Sequence, residues 1–362
     1  MTKIGTYIKS GNIEKVKEYI SKNGIVDEDA IADAAFNGHI EIVKLLHSYN
    51  VPIDEYAITW AAQNGHIEII KLLHNYGAPI NEDTITWAAE NGHLEIVKLL
   101  LSYDAPINEH ATTFAAQNGH LKIVKLLFSY NVPIHEYAII CAAENGHIEI
   151  IKFLLECHVQ VNGIVLYYAI RDGRIDIIKL LRSYDIPIDE SRISDAASCG
   201  HLELIKLLHS YGVPIDESAM TFAARNGHLE TIKLLFSYGA PINPDAIIYA
   251  VDNGHLEIVK LLLSYDAPIV CRTMRIVAQY GHLGIVKLLH SHGVPIDKHA
   301  IAYAAKYGYL DIVKLLYSYN APIDDDAMKY AIKGGCLDIV KFLFKNNAPF
   351  NKTTMGCAVK SG

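Results

Sequence analysis

Nine histidines (His39, His66, His93, His120, His147, His201, His228, His255 and His282) each follow a glycine, at separations that are multiples of 27 residues. A regular row of imidazoles invites a metal-centre reading. Two ligands of one zinc, each bonded at about 2.1 Å, lie within roughly 4 Å of each other. Side chains on neighbouring packed helices sit about 8–10 Å apart. The row therefore closes no site on itself, and its expected role is hydrogen bonding at a turn. No metal site is expected.

Other candidate chemistry is sparse. The six cysteines include no CxxC pair and no framework of fixed spacings, which points to reduced, structural thiols. There is no glycine-rich phosphate loop, no paired His–carboxylate motif, and no Ser or Cys nucleophile with a base at a telling spacing. No catalytic residue, cofactor or small-molecule substrate is expected. An aromatic column (Trp60, Trp87, Phe114, Tyr168, Phe222, Tyr249, Tyr303 and Tyr330) recurs at one register position. It fits packing between adjacent units, and it equally fits a partly exposed strip open to a partner.

These residues share one frame. Glycine recurs every 27 residues from Gly11 to Gly362 with no insertion, so the chain is thirteen copies of one unit and the first half of another. The expected organisation is a single solenoid over residues 1–362. Residues 1–26 form an N-terminal cap, residues 27–349 twelve repeats, and residues 350–362 an incomplete last repeat. In the first unit Lys15 and Glu18 stand where later units carry apolar residues, as the polar outer face of a cap requires. Half of the residues are hydrophobic (51%), which a folded chain needs. No 18-residue apolar run suggests a membrane span, and the N-terminus lacks the apolar stretch of a signal peptide. A net charge of −8 argues against a general nucleic-acid binder. A monomer in the cytoplasm, or in the nucleus, is expected.

In the unit around Gly65, the segment from Asp54 to Gln63 reads as a short helix with Asp54 as N-cap. Asn64 and Gly65 end it, because glycine enters the left-handed region without steric cost. A second helix runs from about Ile67 to Asn75, burying Ile67, Ile69, Ile70, Leu72 and Leu73 and leaving Glu68 and Lys71 to water. Pro79 prevents its continuation. Neither helix can bury its apolar face within the unit, so the units stack. The small pairs Ala61–Ala62 and Ala88–Ala89 let first helices approach closely while second helices splay, which places first helices on the concave side.

The line "AAENGHLEIVKLLLSYDAPIN" resembles the ankyrin repeat, over essentially the whole chain. Two departures stand out. The TPLH segment is absent, and the units are six residues shorter than the usual 33, where the family builds a β-hairpin finger. The resemblance implies an all-α helix-turn-helix solenoid of about 13 repeats with little or no β-hairpin. It also implies a non-enzymatic scaffold that binds a partner protein on its concave face. The hairpin-poor units resemble ankyrin proteins of amoeba-infecting giant DNA viruses, which would make the partner a host protein and the compartment host cytoplasm. Ankyrin repeats are also substrates of asparagine hydroxylases ahead of the first helix, the place held here by Asn81, Asn108 and Asn243.

Where repetition is structure, departures from it are candidates for function. The varied positions fall at i, i+3 and i+7 of the first helix, and they are expected to form its exposed face. They are Tyr56, Thr59 and Gln63; Asp83, Thr86 and Glu90; His110, Thr113 and Gln117; then Tyr137, Ile140 and Glu144. With Trp60 and Trp87, the residues expected to carry binding are Tyr56, Gln63, Asp83, Glu90, His110, Gln117, Tyr137 and Glu144. Later repeats are more basic on this face, with Arg171, Arg225, Arg272, Arg275, Lys306, Lys329 and Lys333. That supports an alternative, nucleic-acid or other polyanion binding by the C-terminal repeats.

Overall fold

A computed structural model describes residues 3–22 and 25–349. Among them the chain forms 26 helices and no strand, in pairs that recur with the 27-residue frame. The expected incomplete repeat at 350–362 lies outside the described residues. Close approaches divide the chain into two compact units, Met1–Pro187 and Ile188–Gly362. No described helix is long and apolar enough to cross a membrane.

The pair Ala57–Gln63 and Ile67–Asn75 shows how the sequence makes one repeat. Gly65 sits at φ +83°, and His66 N–H donates to the Ala61 carbonyl (2.9 Å) and Gly65 N–H to that of Ala62 (3.4 Å). This is the paired closure of a Schellman turn. The Asn64 amide adds a bond to the Trp60 carbonyl at 2.9 Å. The second helix ends the same way at Gly77. There other repeats use Asn50, Asp104 or Asn131 at positive φ, short polar residues that tolerate the left-handed region.

The start of the first helix differs from expectation. Asp54 is not its N-cap. The Asp54 carboxylate accepts from Tyr56 N–H at 2.7 Å, a side-chain turn that ends before the helix begins at Ala57. Asn243 and Asp324 do cap their helices, and in the first case Pro244 occupies the opening position.

The second helix fully buries Ile69, Ile70 and Leu73, while Ile67 and Leu72 are only half-buried. The first helix buries Ala57, Ile58, Ala61 and Ala62. Within each compact unit, first helices of consecutive repeats pack closely side by side, and second helices touch sparsely. The small residues on the first helices are what permit that approach. On the outer surface Lys71 pairs with Glu68 and Lys98 with Glu95, both at 2.7 Å and exposed, each worth a few tenths of a kcal/mol. Beside them the loop tyrosines pack on the preceding repeat. Tyr76 stacks on His47 with centroids 3.6 Å apart, and Tyr265 on Phe236 at 3.5 Å. In the first repeat Lys15 and Glu18 face solvent, and Val16 is the buried residue of that helix.

Candidate partner-binding face

The solvent side of the first helices carries one group of side chains per repeat. Tyr56 is 43% exposed and Tyr137 56% exposed. Asp83, His110, Gln117 and Glu144 are exposed, and Trp60, Gln63, Trp87 and Glu90 are half-buried. All ten expected binding residues therefore reach the surface of the first compact unit.

The middle column does not. Thr59, Thr86, Thr113 and Ile140, expected on the exposed face, are between 1% and 9% exposed. Thr59 Oγ1 donates to Asn81 Oδ1 of the next repeat (3.0 Å), and Thr86 Oγ1 to Asn108 Oδ1 (3.1 Å). Ser194 makes the same bond to Asp216. A short helix flanked by two neighbours is buried on two sides, so the exposed stripe follows i, i+4 and i+7. Trp60 and Trp87 thus belong to the face as well as to the packing, and the aromatic column is half-buried throughout except at Phe222, which is exposed.

The asparagines ahead of the first helices are engaged. Asn81 Oδ1 accepts from Asp83 N–H (3.1 Å), Thr84 Oγ1 (2.9 Å) and Thr59 Oγ1. Asn108 Oδ1 accepts from His110 N–H at 2.8 Å, and Asn243 Oδ1 from Asp245 N–H at 2.9 Å.

The histidine row is structural. His66, His93, His120 and His147 each bring Nε2 to within 2.9–3.2 Å of a carbonyl thirty residues earlier, on the preceding repeat. Each ring also lies over that repeat's turn glycine. Cys141 takes the aromatic column's position, and burial pushes its thiol up, as it does that of Cys157. That is the opposite of what a nucleophilic thiol requires.

One feature escaped the sequence reading. A cleft of about 560 Å³ opens across the first three repeats, lined by Lys9, Asp29, Asp33, Phe36, Asp54, Tyr56 and Trp60 among others. Phe36 meets Trp60 edge-on with centroids 6.1 Å apart, and Tyr56 lies 6.4 Å from the same indole. The signal was present: Phe36 is the one aromatic in a column that is otherwise polar or charged, as at Gln63, Glu90, Gln117 and Glu144.

In the second compact unit, on and beside the first helices, cations lie next to rings. Arg225 lies over Tyr249 and Arg275 over Tyr303, both at 5.5 Å, and Lys306 lies 5.1 Å from the Tyr307 centroid.

No curated protein matches the chain. Among solved structures, the pentatricopeptide repeat protein PPR10 in complex with an 18-nt psaJ RNA element aligns with a TM-score of 0.43 and 10% identity, covering 99% of this chain and 66% of that one. PPR10 from maize aligns at 0.34, again with 10% identity, over 98% and 64%. Similarity at that level bears on neither family nor partner. The sequence family of ankyrin repeats (3 copies) matches residues 7–83, 31–111, 112–191, 193–273 and 274–354. With the glycine turns, stacked helix pairs and histidine ties described above, that match makes the chain a member of the ankyrin repeat family.

Proposed function

We propose that the protein is a non-enzymatic scaffold that binds a partner protein on the first-helix face of its N-terminal half. The observation that carries this reading is the exposure of Tyr56 and Tyr137, at 43% and 56%. The fold asks for small and aliphatic residues on the packed sides of these helices, and it gains little from a large aromatic on the solvent side. Exposed aromatics flanked by polar groups are where binding energy concentrates in protein interfaces. Asp83, Glu90, His110, Gln117 and Glu144 supply the polar flank and Trp60 and Trp87 the half-buried floor. The likeness to giant-virus repeat proteins makes a host protein the first partner to seek. A pull-down from host cytoplasm with the native chain and with a Tyr56→Ala/Tyr137→Ala variant tests the face. Partners recovered equally by both would overturn it.

A second reading has its own observation. The alternation of Arg225, Tyr249, Arg275, Tyr303, Lys306 and Tyr307 supplies cations and stacking surfaces together, the combination that binds single-stranded nucleic acid. Salt-sensitive retention on a polyanion column would support it, and unretained protein at low salt would dismiss it.

A further inference from the structure

We propose that the cleft walled by Phe36, Tyr56 and Trp60 is a cation subsite that receives an arginine side chain of the partner, an assignment that rests on the scaffold reading above. The cleft has the right walls. Its three rings are far from coplanar, with Phe36 at 72° and Tyr56 at 40° to the Trp60 indole. Set at these different angles, they line a volume of about 560 Å³. A cation within about 6 Å of such faces is attracted by the ring quadrupoles, most strongly by tryptophan. Phe36 and Tyr56 are 44% and 43% exposed, so they are available to a ligand and are not held as core.

The charges around the rings set the sign of the occupant. Three carboxylates (Asp29, Asp33 and Asp54) and one ammonium (Lys9) line the cleft, an excess of two negative charges. Lys9 is taken by Asp33 at 3.4 Å. Asp54 uses one oxygen on Tyr56 N–H and keeps the other. Asp29 is exposed, and although its backbone carbonyl accepts from Asp33 N–H at 2.8 Å, its carboxylate caps no backbone N–H of the helix it precedes. An anionic or neutral group would meet this charge unpaid, whereas a cation completes it.

Arginine fits better than lysine because a planar guanidinium can stack on a ring and still bind a carboxylate through two N–H groups. The chain satisfies one of its own arginines in this manner. Arg171 lies 4.7 Å over the Tyr168 ring and binds Asp172 through Nε at 2.8 Å. The cleft offers the same ring-and-carboxylate pairing with no arginine of the chain in it.

Trp60 is itself the reporter, since the chain has two tryptophans and Trp87→Phe leaves Trp60 alone. A blocked peptide of alternating glycine and arginine should change Trp60 emission saturably. Its citrulline counterpart, equal in shape but uncharged, should bind roughly tenfold more weakly or worse. Asp29→Asn and Asp54→Asn should each weaken the arginine peptide several-fold. Asp54→Asn preserves the turn, because Asn81 makes that bond in the next repeat. Glu95→Gln, an equal loss of charge on the outer surface of the second helices, should leave affinity unchanged. Isothermal titration of the unmodified chain repeats the peptide comparison without the Trp87 substitution. Absence of saturation up to about 1 mM, a dissociation constant beyond which binding is worth less than about 4 kcal/mol, overturns the proposal. So does equal binding of the citrulline peptide, or an equal loss in Glu95→Gln. Tighter binding of a glycine–lysine peptide overturns the guanidinium assignment. The Tyr56/Tyr137 pull-down judges the scaffold reading separately. A partner still lost by that variant but kept by Asp29→Asn and Asp54→Asn would sink the subsite alone.

Discussion

His93 Nε2 lies 3.0 Å from the carbonyl oxygen of Gln63, and the same ring lies over Gly65. Gln63 ends the helix Ala57–Gln63, where the last carbonyls have no partner within the helix. The histidine of one repeat therefore closes the helix of the one before. His93→Ala should remove that donor and open a gap over the glycine, costing about 1–3 kcal/mol in urea denaturation. An unchanged midpoint would mean the tie contributes nothing.

Gly65→Ala attacks the same joint from below. The backbone there is at φ +83°, and an added methyl would lie 3.0 Å from His93 Cε1. The left-handed conformation alone costs about 1–2 kcal/mol for a residue with a Cβ. Thermal melts should place this variant clearly below wild type. Gly77→Ala, which meets nothing within 4 Å, should show the conformational cost alone.

Thr86 and Thr113 hold equivalent positions but opposite hydrogen-bonding states. Thr86 Oγ1 donates to Asn108, whereas Thr113 Oγ1 is buried without a partner, because the next repeat offers His135 in place of asparagine. Thr86→Val should destabilise by about 0.5–1.5 kcal/mol, and Thr113→Val should be neutral or stabilising. Equal effects in denaturant titrations would contradict this contrast.

Trp87 is half-buried, so Trp87→Ala should cost less than the roughly 3–5 kcal/mol of a fully buried aromatic. Tyr56→Ala, on the open side of the same face, should stay within about 0.5 kcal/mol of wild type. Chemical denaturation of the two variants distinguishes floor from rim.

Asp252 ends the helix Pro244–Asp252, and burial pushes its carboxyl above the ordinary aspartate value. The charged form is thus disfavoured in the folded chain. Stability is fully present below the unfolded-state pKa of about 3.9 and falls as pH rises through the higher folded value. Asp252→Asn should therefore raise the melting temperature at pH 7, by the equivalent of about 0.3–1 kcal/mol for a carboxylate at a helix C-terminus. At pH 3 the two proteins should melt together. A variant less stable at pH 7 would reverse the sign.

The turns were legible because they are written in residue types with one backbone consequence. Asn64–Gly65 and Tyr76–Gly77 place the ends of both helices within a residue or two. The start of the first helix was less so, since an aspartate such as Asp54 serves equally as a cap or as a side-chain turn. Thr59 was misplaced for a different reason. Periodicity along one helix reports one buried side, and the second is created by a neighbour that the helix's own sequence does not describe. Asp29, Asp33 and Phe36 lie after the cap at 1–26 and before Tyr56, the first of the varied positions, so neither pattern marks them as a surface. Their approach to Trp60 spans more than one repeat.

The glycine–histidine joint has a consequence for how such a chain can change length. Excising residues 66–92 would join Gly65 to His93 and bring His120 over Gly65, where His93 had been. The lost interface is rebuilt from an equivalent half, and duplication of any 27-residue stretch does the same in reverse. Unequal recombination is therefore nearly silent to the fold, yet it shifts every exposed side chain beyond the junction by one place along the face. Arg174 over Gly146 and Tyr309 over Gly281 show that the joint also accepts other large side chains. A lineage of such proteins can shuffle and extend its recognition surface while the packing rule beneath it stays fixed.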